Sequence, residues 1–152
     1  NYWMLPNMLM QKWPAENFTT TVKLDFKPAN INDRTGLMIM GLDYAYLAVT
    51  KKEDGNYIIL NICNNADKGK PEKELSAKKI NSATVYVRAA ITAGGICNFS
   101  CSEDGSTFYP LEGSFTARPG KWVGAKIGMF STGTAKTNDC GFAEIDWFRI
   151  SK

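Results

Sequence analysis

Apolar and polar residues alternate with a period of two along much of this sequence, and this alternation constrains the fold more than any other feature. The segment 18–27 (FTTTVKLDFK) places Val22, Leu24 and Phe26 at every second position, with polar residues between them. The segment 85–92 (VYVRAAIT) repeats the pattern. Successive side chains of a β-strand point to opposite faces, so both segments are predicted to be strands with one buried face.

Turn sequences containing glycine separate such segments at intervals of about ten residues. They occur at 53–56 (EDGN), 93–95 (AGG), 103–106 (EDGS) and 118–120 (RPG). Glycine supplies positive φ angles, while aspartate and proline favour turn conformations. Short strands with regular turns predict an all-β sandwich or barrel. The other predicted strands are 37–40, 44–51, 57–63, 96–102, 121–130 and 142–150, whereas 72–79 is predicted to be a charged helical turn and 64–71 a long loop.

The length of the chain indicates a single domain, and its charge distribution excludes some classes of binding partner. The 152 residues suffice for a single domain with one hydrophobic core, and we assign residues 1–152 to it. The 18 basic and 15 acidic residues are interspersed along the chain, which disfavours nucleic acid as a partner. The longest apolar runs are about half a membrane span, so no membrane association is predicted. Because the sequence starts at Asn1, without an initiator Met or a signal segment, we expect a piece cut from a longer protein.

The sequence contains no histidine, which removes most familiar catalytic arrangements. Ser-His-Asp and Cys-His nucleophile systems, paired-histidine zinc sites and the commonest general base near neutral pH are all excluded. A glycine-rich phosphate loop is also missing. The four cysteines show no Cys-x-x-Cys spacing, so a zinc site is not predicted. They are instead predicted to be reduced, small core residues: Cys63, Cys97, Cys101 and Cys140.

Acidic residues in the turns could hold a structural calcium. The candidates are Asp43, Asp54, Asp104 and Asp139. Calcium takes about six to eight oxygen ligands, often from loop carboxylates and carbonyls. These four residues lie in separate turns, and an Asp-Gly pair occurs in a turn mainly because both residues favour the turn conformation. A structural calcium stays open as an option, but no metal site and no cofactor are predicted.

The last predicted strand carries two carboxylates, Glu144 and Asp146, that could face a sugar. Its Glu-Ile-Asp sequence resembles the opening of the Glu-Ile-Asp-x-Glu strand of family 16 glucanases, which use a nucleophile and an acid/base. Phe148 stands in place of the third carboxylate, so the acid/base is missing. In the alternative interpretation, Phe142 and Phe148 anchor the strand while the two carboxylates pair with Lys or Arg across it. We therefore predict no catalytic residue in this chain.

Aromatic side chains are the usual sugar platforms in β-sandwiches, because a flat ring packs against the C–H face of a pyranose. Tyr86 and Arg88 are our substrate-binding candidates on a sheet face, since both lie opposite the apolar side formed by Val85 and Val87. In the alternative interpretation this face covers the rim of the other sheet. The remaining aromatic candidates are Tyr44, Tyr46, Tyr57, Trp122 and Trp147.

Four stretches of the sequence occur in the order and spacing of a known domain family. They are 5–12 (LPNMLMQK) with 14–16 (PAE), 102–108 (SEDGSTF), 120–130 (GKWVGAKIGMF) and 141–148 (GFAEIDWF). Together they resemble the C-terminal domain of family 43 β-xylosidases and α-L-arabinofuranosidases over nearly the whole chain. The resemblance implies a two-sheet antiparallel jelly-roll sandwich of concanavalin-A-like fold, packed against an upstream catalytic β-propeller domain of the same chain. The acidic catalytic residues of the family lie in that propeller, so none is assigned here.

The same resemblance implies a role for one aromatic residue. In the xylosidase relatives an aromatic side chain of this domain reaches the mouth of the propeller's active site and closes the pocket around the substrate. Trp122 is the matching position and a further substrate-binding candidate; the alternative is a core tryptophan on an inward strand position.

The implied function is that of an accessory domain that stabilises the propeller and shapes its substrate pocket in plant polysaccharide breakdown. The alternative function is an independent carbohydrate-binding module for xylan or arabinan. The expected partners are therefore the propeller and an oligosaccharide or polysaccharide of the xylan or arabinan type. A periplasmic or secreted location is favoured for a bacterial protein of this kind, with the cytoplasm as the alternative.

Overall fold

A computed structural model describes Tyr2, residues 7–135 and residues 141–152 of the chain. Within these residues the chain forms eleven strands and two short 3₁₀ turns, Ala66–Lys68 and Ala93–Gly95. No helix in this part of the chain has the length and apolar character needed to span a lipid bilayer. The strands are β1 (Met8–Lys12), β2 (Phe18–Lys27), β3 (Arg34–Met40), β4 (Tyr44–Lys52), β5 (Gly55–Cys63), β6 (Lys73–Ile80), β7 (Thr84–Thr92), β8 (Ile96–Ser102), β9 (Tyr109–Thr116), β10 (Lys126–Thr132) and β11 (Phe142–Ser151).

The strands form two antiparallel sheets that pack face to face. The six-stranded sheet has the order β1-β10-β3-β4-β5-β6, and the five-stranded sheet has the order β11-β2-β7-β8-β9. The chain moves from one sheet to the other several times, as in a jelly roll. The predicted all-β, two-sheet antiparallel sandwich is confirmed.

The hydrophobic core lies between the two sheets and follows the alternation read from the sequence. In the five-stranded sheet, Val22 and Leu24 of β2 are fully buried and pair in register with Val87 and Val85 of β7. Each such side chain contributes about 1.5–3 kcal/mol relative to exposure. The six-stranded sheet adds a facing set of buried side chains: Leu37, Ile39, Ala45, Leu47, Val49, Ile58, Leu60 and Ile127.

A second apolar cluster covers the outer face of the six-stranded sheet. Tyr44 and Tyr46 of β4 are buried there beneath Tyr2, whose ring centroid lies 5.5 and 5.0 Å from theirs. Both hydroxyls donate hydrogen bonds of 2.7 Å to the carboxylate of Glu72, and Arg34 donates to the Tyr46 hydroxyl at 2.8 Å. Burial raises the pKa of both phenols. These two tyrosines are therefore inaccessible to a sugar, contrary to their place among the aromatic candidates.

The segment predicted to be a charged helical turn is strand β6, at one edge of the six-stranded sheet. Most of its side chains are exposed; Ile80 is buried and Leu75 packs against the core. An edge strand pairs on one side only and covers little of the core, so its sequence can be as polar as a helix surface. The prediction of a helical turn was wrong for this reason. Strands β1 and β9 are also edge strands, and the alternation does not predict them.

A β-bulge in β11 changes which side chains face the core along the last strand. The register with β2 shifts between Ile145 and Trp147. Phe148 packs against the core beyond the shift, whereas Phe142 before it is 55% exposed. The predicted anchoring of the strand is therefore confirmed for Phe148 and wrong for Phe142, because the extra residue of a bulge reverses the parity of the alternation.

Three cysteines lie in the interior as free thiols, as predicted: Cys63, Cys97 and Cys101. Desolvation raises the pKa of the Cys97 thiol to about 12 and also raises the pKa values of Cys63 and Cys101. All three are therefore protonated at neutral pH and behave as small apolar residues. Cys140 lies outside the described residues.

Candidate functional site

The connection between β9 and β10, residues 117–125, carries the most exposed large hydrophobic side chain of the described chain. We call it the Trp122 loop. Trp122 is 95% exposed and lines a shallow depression of about 230 Å³ together with Met40 and Val123. The strand predicted at 121–130 begins only at Lys126, so residues 121–125 are loop and not strand. The alternative of a core tryptophan is therefore wrong.

An ion pair fixes the start of the Trp122 loop. The Arg118 guanidinium donates to both carboxylate oxygens of Asp43, with its Nη2 atom 2.6 Å from Oδ1, and Nη2 also lies 3.3 Å from Oδ1 of Asn65. The Asp43 side chain is only 6% exposed. The hydrogen bonds from Arg118 hold the pKa of the Asp43 carboxyl below its usual range, with a smaller contribution from the backbone N–H of Asn65.

A close backbone contact reinforces this attachment. A Cβ atom at Gly41 would lie 1.7 Å from the carbonyl oxygen of Arg118, so only glycine fits in the β3–β4 turn. The N–H of Leu42 donates to the same carbonyl at 3.3 Å. The loop is therefore anchored at its base by side-chain and main-chain contacts, while Trp122 at its tip faces solvent.

Tyr86 and Arg88 lie on the outer face of the five-stranded sheet, where cross-strand pairing brings further residues beside them. One row across the sheet is Trp147, Lys23, Tyr86 and Ser102, and the adjacent row is Arg149, Thr21, Arg88 and Ser100. Several of these residues line an open depression of about 490 Å³. We call this surface the arginine face and define it by Thr21, Tyr86, Arg88, Phe108, Trp147 and Arg149.

Arg88 is held in place by two neighbours. The centre of its guanidinium lies 3.3 Å from the ring centroid of Phe108, and its Nε atom donates to the Thr21 hydroxyl at 2.9 Å. Burial lowers the pKa of Arg88 from its usual value, because water is partly removed from the charged group. Among the described residues no carboxylate lies within ion-pair distance of it.

The second arginine of the face is also stacked on an aromatic ring. The guanidinium of Arg149 lies 4.2 Å from the centroid of a Trp147 ring, and that indole lies 6.0 Å from the ring of Tyr86 at an angle of 53°. Arg149 likewise has no carboxylate partner among residues 7–135 and 141–152. The face therefore combines three aromatic rings with two guanidinium groups that have no carboxylate partner in the described part of the chain.

The turn after β8 positions Phe108 beneath Arg88. Asp104 accepts hydrogen bonds of 2.8 Å from the backbone N–H groups of Ser106 and Thr107, which lower its pKa and fix the turn. Gly105 has a φ of 77° and packs on Tyr86, whose ring a Cβ atom would meet at 2.6 Å. The SEDGSTF sequence therefore closes a tight turn against the arginine face.

The two carboxylates of the last strand are engaged in ion pairs. Lys27 Nζ lies 2.5 Å from Oε2 of Glu144, and Lys23 Nζ lies 2.7 Å from Oδ2 of Asp146. The interpretation in which these carboxylates pair across the strand is confirmed. Each acid thus has a lysine partner on β2, and the two do not form a free catalytic pair.

The turn aspartates that could have bound calcium have partners within the chain. Asp43 binds Arg118, Asp54 pairs with Lys79 at 2.8 Å, and Asp104 caps its own turn. In the described part of the chain no group of three or more His, Cys, Asp or Glu residues is arranged to hold a metal ion. Asp139 lies outside the described residues.

An apolar groove of about 370 Å³ runs along the open side of the sandwich, between β1 and β10 on one sheet and β11 on the other. We call it the edge groove. Leu9 is 83% exposed and Ile145 41% exposed at its rim. Met10, Met129 and Phe148 contribute to its lining.

The sequence alone predicted only some of the residues of this candidate site. It identified Trp122, Tyr86 and Arg88 and included Trp147 among the aromatic candidates, but it did not identify Thr21, Phe108 or Arg149. Thr21 and Arg149 join Arg88 only through strand register. Phe108 follows a turn, outside any alternating segment.

The chain matches the protein family described as the β-xylosidase C-terminal concanavalin A-like domain, over residues 1–151. No curated protein sequence matches it.

Solved structures show the same fold at low sequence identity. The bifunctional GH43-CE protein of Bacteroides eggerthii is 20% identical with a TM-score of 0.88, over 99% of this chain and 19% of that one. The xylan β-1,4-xylosidase of Bacillus halodurans is 19% identical with a TM-score of 0.78, over 95% of this chain and 29% of that one. A GH43 protein of Bacillus licheniformis is 18% identical with a TM-score of 0.79, again over 95% and 29%. This chain therefore spans less than a third of the length of these proteins.

Proposed function

Because this chain belongs to the family of β-xylosidase C-terminal concanavalin A-like domains, we propose that it is the accessory domain of a longer family 43 glycoside hydrolase. In this role it stabilises an upstream catalytic propeller and shapes the propeller's substrate pocket during breakdown of plant polysaccharides. We assign the reaction to the propeller; Glu144 and Asp146, the carboxylate pair on β11, each form an ion pair with a lysine of β2.

The observation that carries the proposal is the 95% exposure of Trp122 on a loop that is anchored at its base. Burying a large apolar side chain stabilises a contact by about 1.5–3 kcal/mol. The anchored base lowers the conformational entropy lost when the indole is buried, which favours contact with a partner. We place this partner surface at the mouth of the propeller's active site, where Trp122 packs against the substrate or the pocket wall.

The edge groove is the second part of the proposed contact. Leu9 and Ile145 expose apolar surface beside a groove of about 370 Å³. The solved relatives are more than three times as long as this chain, so a large additional domain is present in each of them. We assign the edge groove to the interface with that domain.

A substitution of Trp122 in the full-length enzyme tests the pocket-shaping role. Trp122→Ala should lower kcat/KM on xylo-oligosaccharides several-fold through a higher KM, while Trp122→Phe retains most of the activity because a flat ring is kept. Lys73→Ala on the edge strand β6, outside the residues that line the depression at Trp122, is the control and should leave kcat/KM unchanged. Equal kcat/KM for Trp122→Ala and wild type would refute the assignment of Trp122.

Removal of the domain tests the stabilising role. An enzyme truncated before residue 1 of this sequence should melt at a lower temperature than the intact enzyme and have a lower kcat/KM. In the intact enzyme, Leu9→Lys should lower the melting temperature of the propeller, because the charge would be buried in the interface. If both the truncated enzyme and Leu9→Lys matched the intact protein, the domain would have no stabilising role.

A second function, an independent carbohydrate-binding module, is favoured by the arginine face. Phe108 and Trp147 provide apolar contact area, and Arg88 and Arg149 provide hydrogen-bond donors, in one depression that Tyr86 adjoins. Affinity electrophoresis of this domain on xylan, arabinan and glucan tests it. Retardation that Arg88→Ala or Tyr86→Ala abolishes would support the module, and unretarded migration on all polysaccharides would exclude it.

A further inference from the structure

We propose that the arginine face binds an acidic sugar, namely a hexuronate residue of a carboxylate-bearing polysaccharide. This inference rests on the second function above, glycan binding by this face, and specifies the class of glycan. It is carried by the juxtaposition of Arg88 and Arg149 around Thr21 in one cross-strand row.

The charge of the face is unbalanced. Of the described charged residues beside it, Lys23 is paired with Asp146, whereas Arg88 and Arg149 have no carboxylate within 4.0 Å among the described residues. The described residues that line the depression include no aspartate or glutamate. Two adjacent cations without a counter-ion attract an anion, and Arg88 is partly desolvated, so the attraction is screened less than at an open surface.

The geometry suits a carboxylate. Arg88 and Arg149 flank Thr21 on neighbouring strands, so their Cα atoms are separated by two strand spacings, about 9–10 Å. A guanidinium presents parallel N–H donors that match the two oxygens of a carboxylate. The Nε atom of Arg88 donates to the Thr21 hydroxyl, and the guanidinium group stacks on the Phe108 ring. These two contacts orient the terminal nitrogens of Arg88 before a ligand binds.

The same face offers apolar contact to a sugar ring. Trp147 and Tyr86 stand beside the two arginines, and the depression of about 490 Å³ is open to solvent. Aromatic side chains provide contact area for pyranose rings at a low entropic cost. A neutral sugar would use only this part of the face, whereas a hexuronate would also engage the guanidinium groups.

The test is calorimetric titration of this 152-residue domain with tri-galacturonate and with xylotriose at equal concentrations. We expect binding of the acidic trisaccharide to be at least tenfold tighter than that of the neutral one, and to weaken as salt is raised. Arg88→Gln and Arg149→Gln should each weaken binding of tri-galacturonate several-fold. Lys121→Gln, which removes the same charge from a residue that does not line the depression, is the control and should have no effect.

Equal affinity for both trisaccharides would overturn the acidic-sugar inference and leave glycan binding intact. If neither trisaccharide bound, both the acidic-sugar inference and the proposal of glycan binding by this face would be overturned. Equal weakening by Lys121→Gln and Arg88→Gln would show a general charge effect and also overturn the inference. Should Arg88→Gln fold poorly, Arg149→Gln on the exposed edge strand provides the same test.

Discussion

Arg118 donates hydrogen bonds from two nitrogen atoms to the carboxylate of Asp43, although the two residues are 75 positions apart in the sequence. The pair joins the β3–β4 turn to the Trp122 loop. Because Asp43 is almost completely buried, Arg118 supplies the compensation of charge that this carboxylate cannot obtain from water. The position of Trp122 therefore depends on a contact between two segments that are distant in the sequence.

We predict that Arg118→Ala destabilises the domain by about 1–3 kcal/mol, because a buried carboxylate would lose its principal donor. Urea unfolding of the isolated domain measures the change. Lys121→Ala, three positions along the same loop, is the control and should change the unfolding free energy by less than about 0.5 kcal/mol. A similar small effect of Arg118→Ala would show that the ion pair does not stabilise the loop.

The Asp43 pair also predicts a pH dependence of stability. The native pKa of Asp43 is lowered from its ordinary value of 3.8, so the unfolded chain takes up this proton at a higher pH than the native protein. The stabilisation is complete well above that ordinary value and is lost as the pH falls towards the lower native pKa. The difference in unfolding free energy between wild type and Asp43→Asn, measured from about pH 7 down to about pH 2, should therefore shrink in the acidic range. A difference that is constant over this range would contradict the assignment.

Gly105→Ala should destabilise the domain by about 1–2 kcal/mol, since a φ of 77° is unfavourable for alanine. Its Cβ atom would also collide with the Tyr86 ring. Thermal unfolding measures the loss. Gly69→Ala provides a matched control, because Gly69 has a φ of 69° but no atom within 4 Å of a Cβ position. If the two variants lost the same stability, packing of the turn on Tyr86 would contribute nothing.

The buried thiols should be unreactive in the native protein. Cys63, Cys97 and Cys101 are free and buried, and burial raises their pKa values, so little thiolate is available at about pH 8. In a Cys140→Ser variant, Ellman's reagent should react slowly under native conditions and should titrate three thiols after denaturation. Rapid reaction of the folded variant would indicate that one of these cysteines is accessible.

Strands whose two faces differ in burial were predictable, because one face packs on the core and the other carries mostly polar residues. Strands β2 and β8 occupy the predicted ranges, and both lie inside the five-stranded sheet. Strand β6 was not predictable in the same way, since its single neighbour and small inward surface leave lysine and glutamate at most positions. Local sequence therefore predicts a strand best where it supplies enough apolar positions, as in the edge strand β11, which was predicted at 142–150 and is observed at Phe142–Ser151.

The candidate site was less predictable than the fold, since it depends on register and on one bulge. Continuing the alternation of Ala143 and Ile145 would place Trp147 towards the core. The shift between Ile145 and Trp147 instead directs the indole to the outer face, beside Tyr86. No local sequence pattern predicts that shift in register. The alignment of Arg149, Thr21 and Arg88 in one cross-strand row depends on it.

The lysine-rich edge strand has a consequence for how the domain behaves in bulk solution. Lys73 and Lys78 stand exposed on β6, whose outer side has no strand partner in the described sheet, while Lys79 pairs with Asp54. A second molecule docking its own β6 there would bring like charges together, which opposes sheet extension from one molecule to the next. The polar sequence that made β6 resemble a helical turn should therefore also oppose fibrillar aggregation through this edge at high protein concentration.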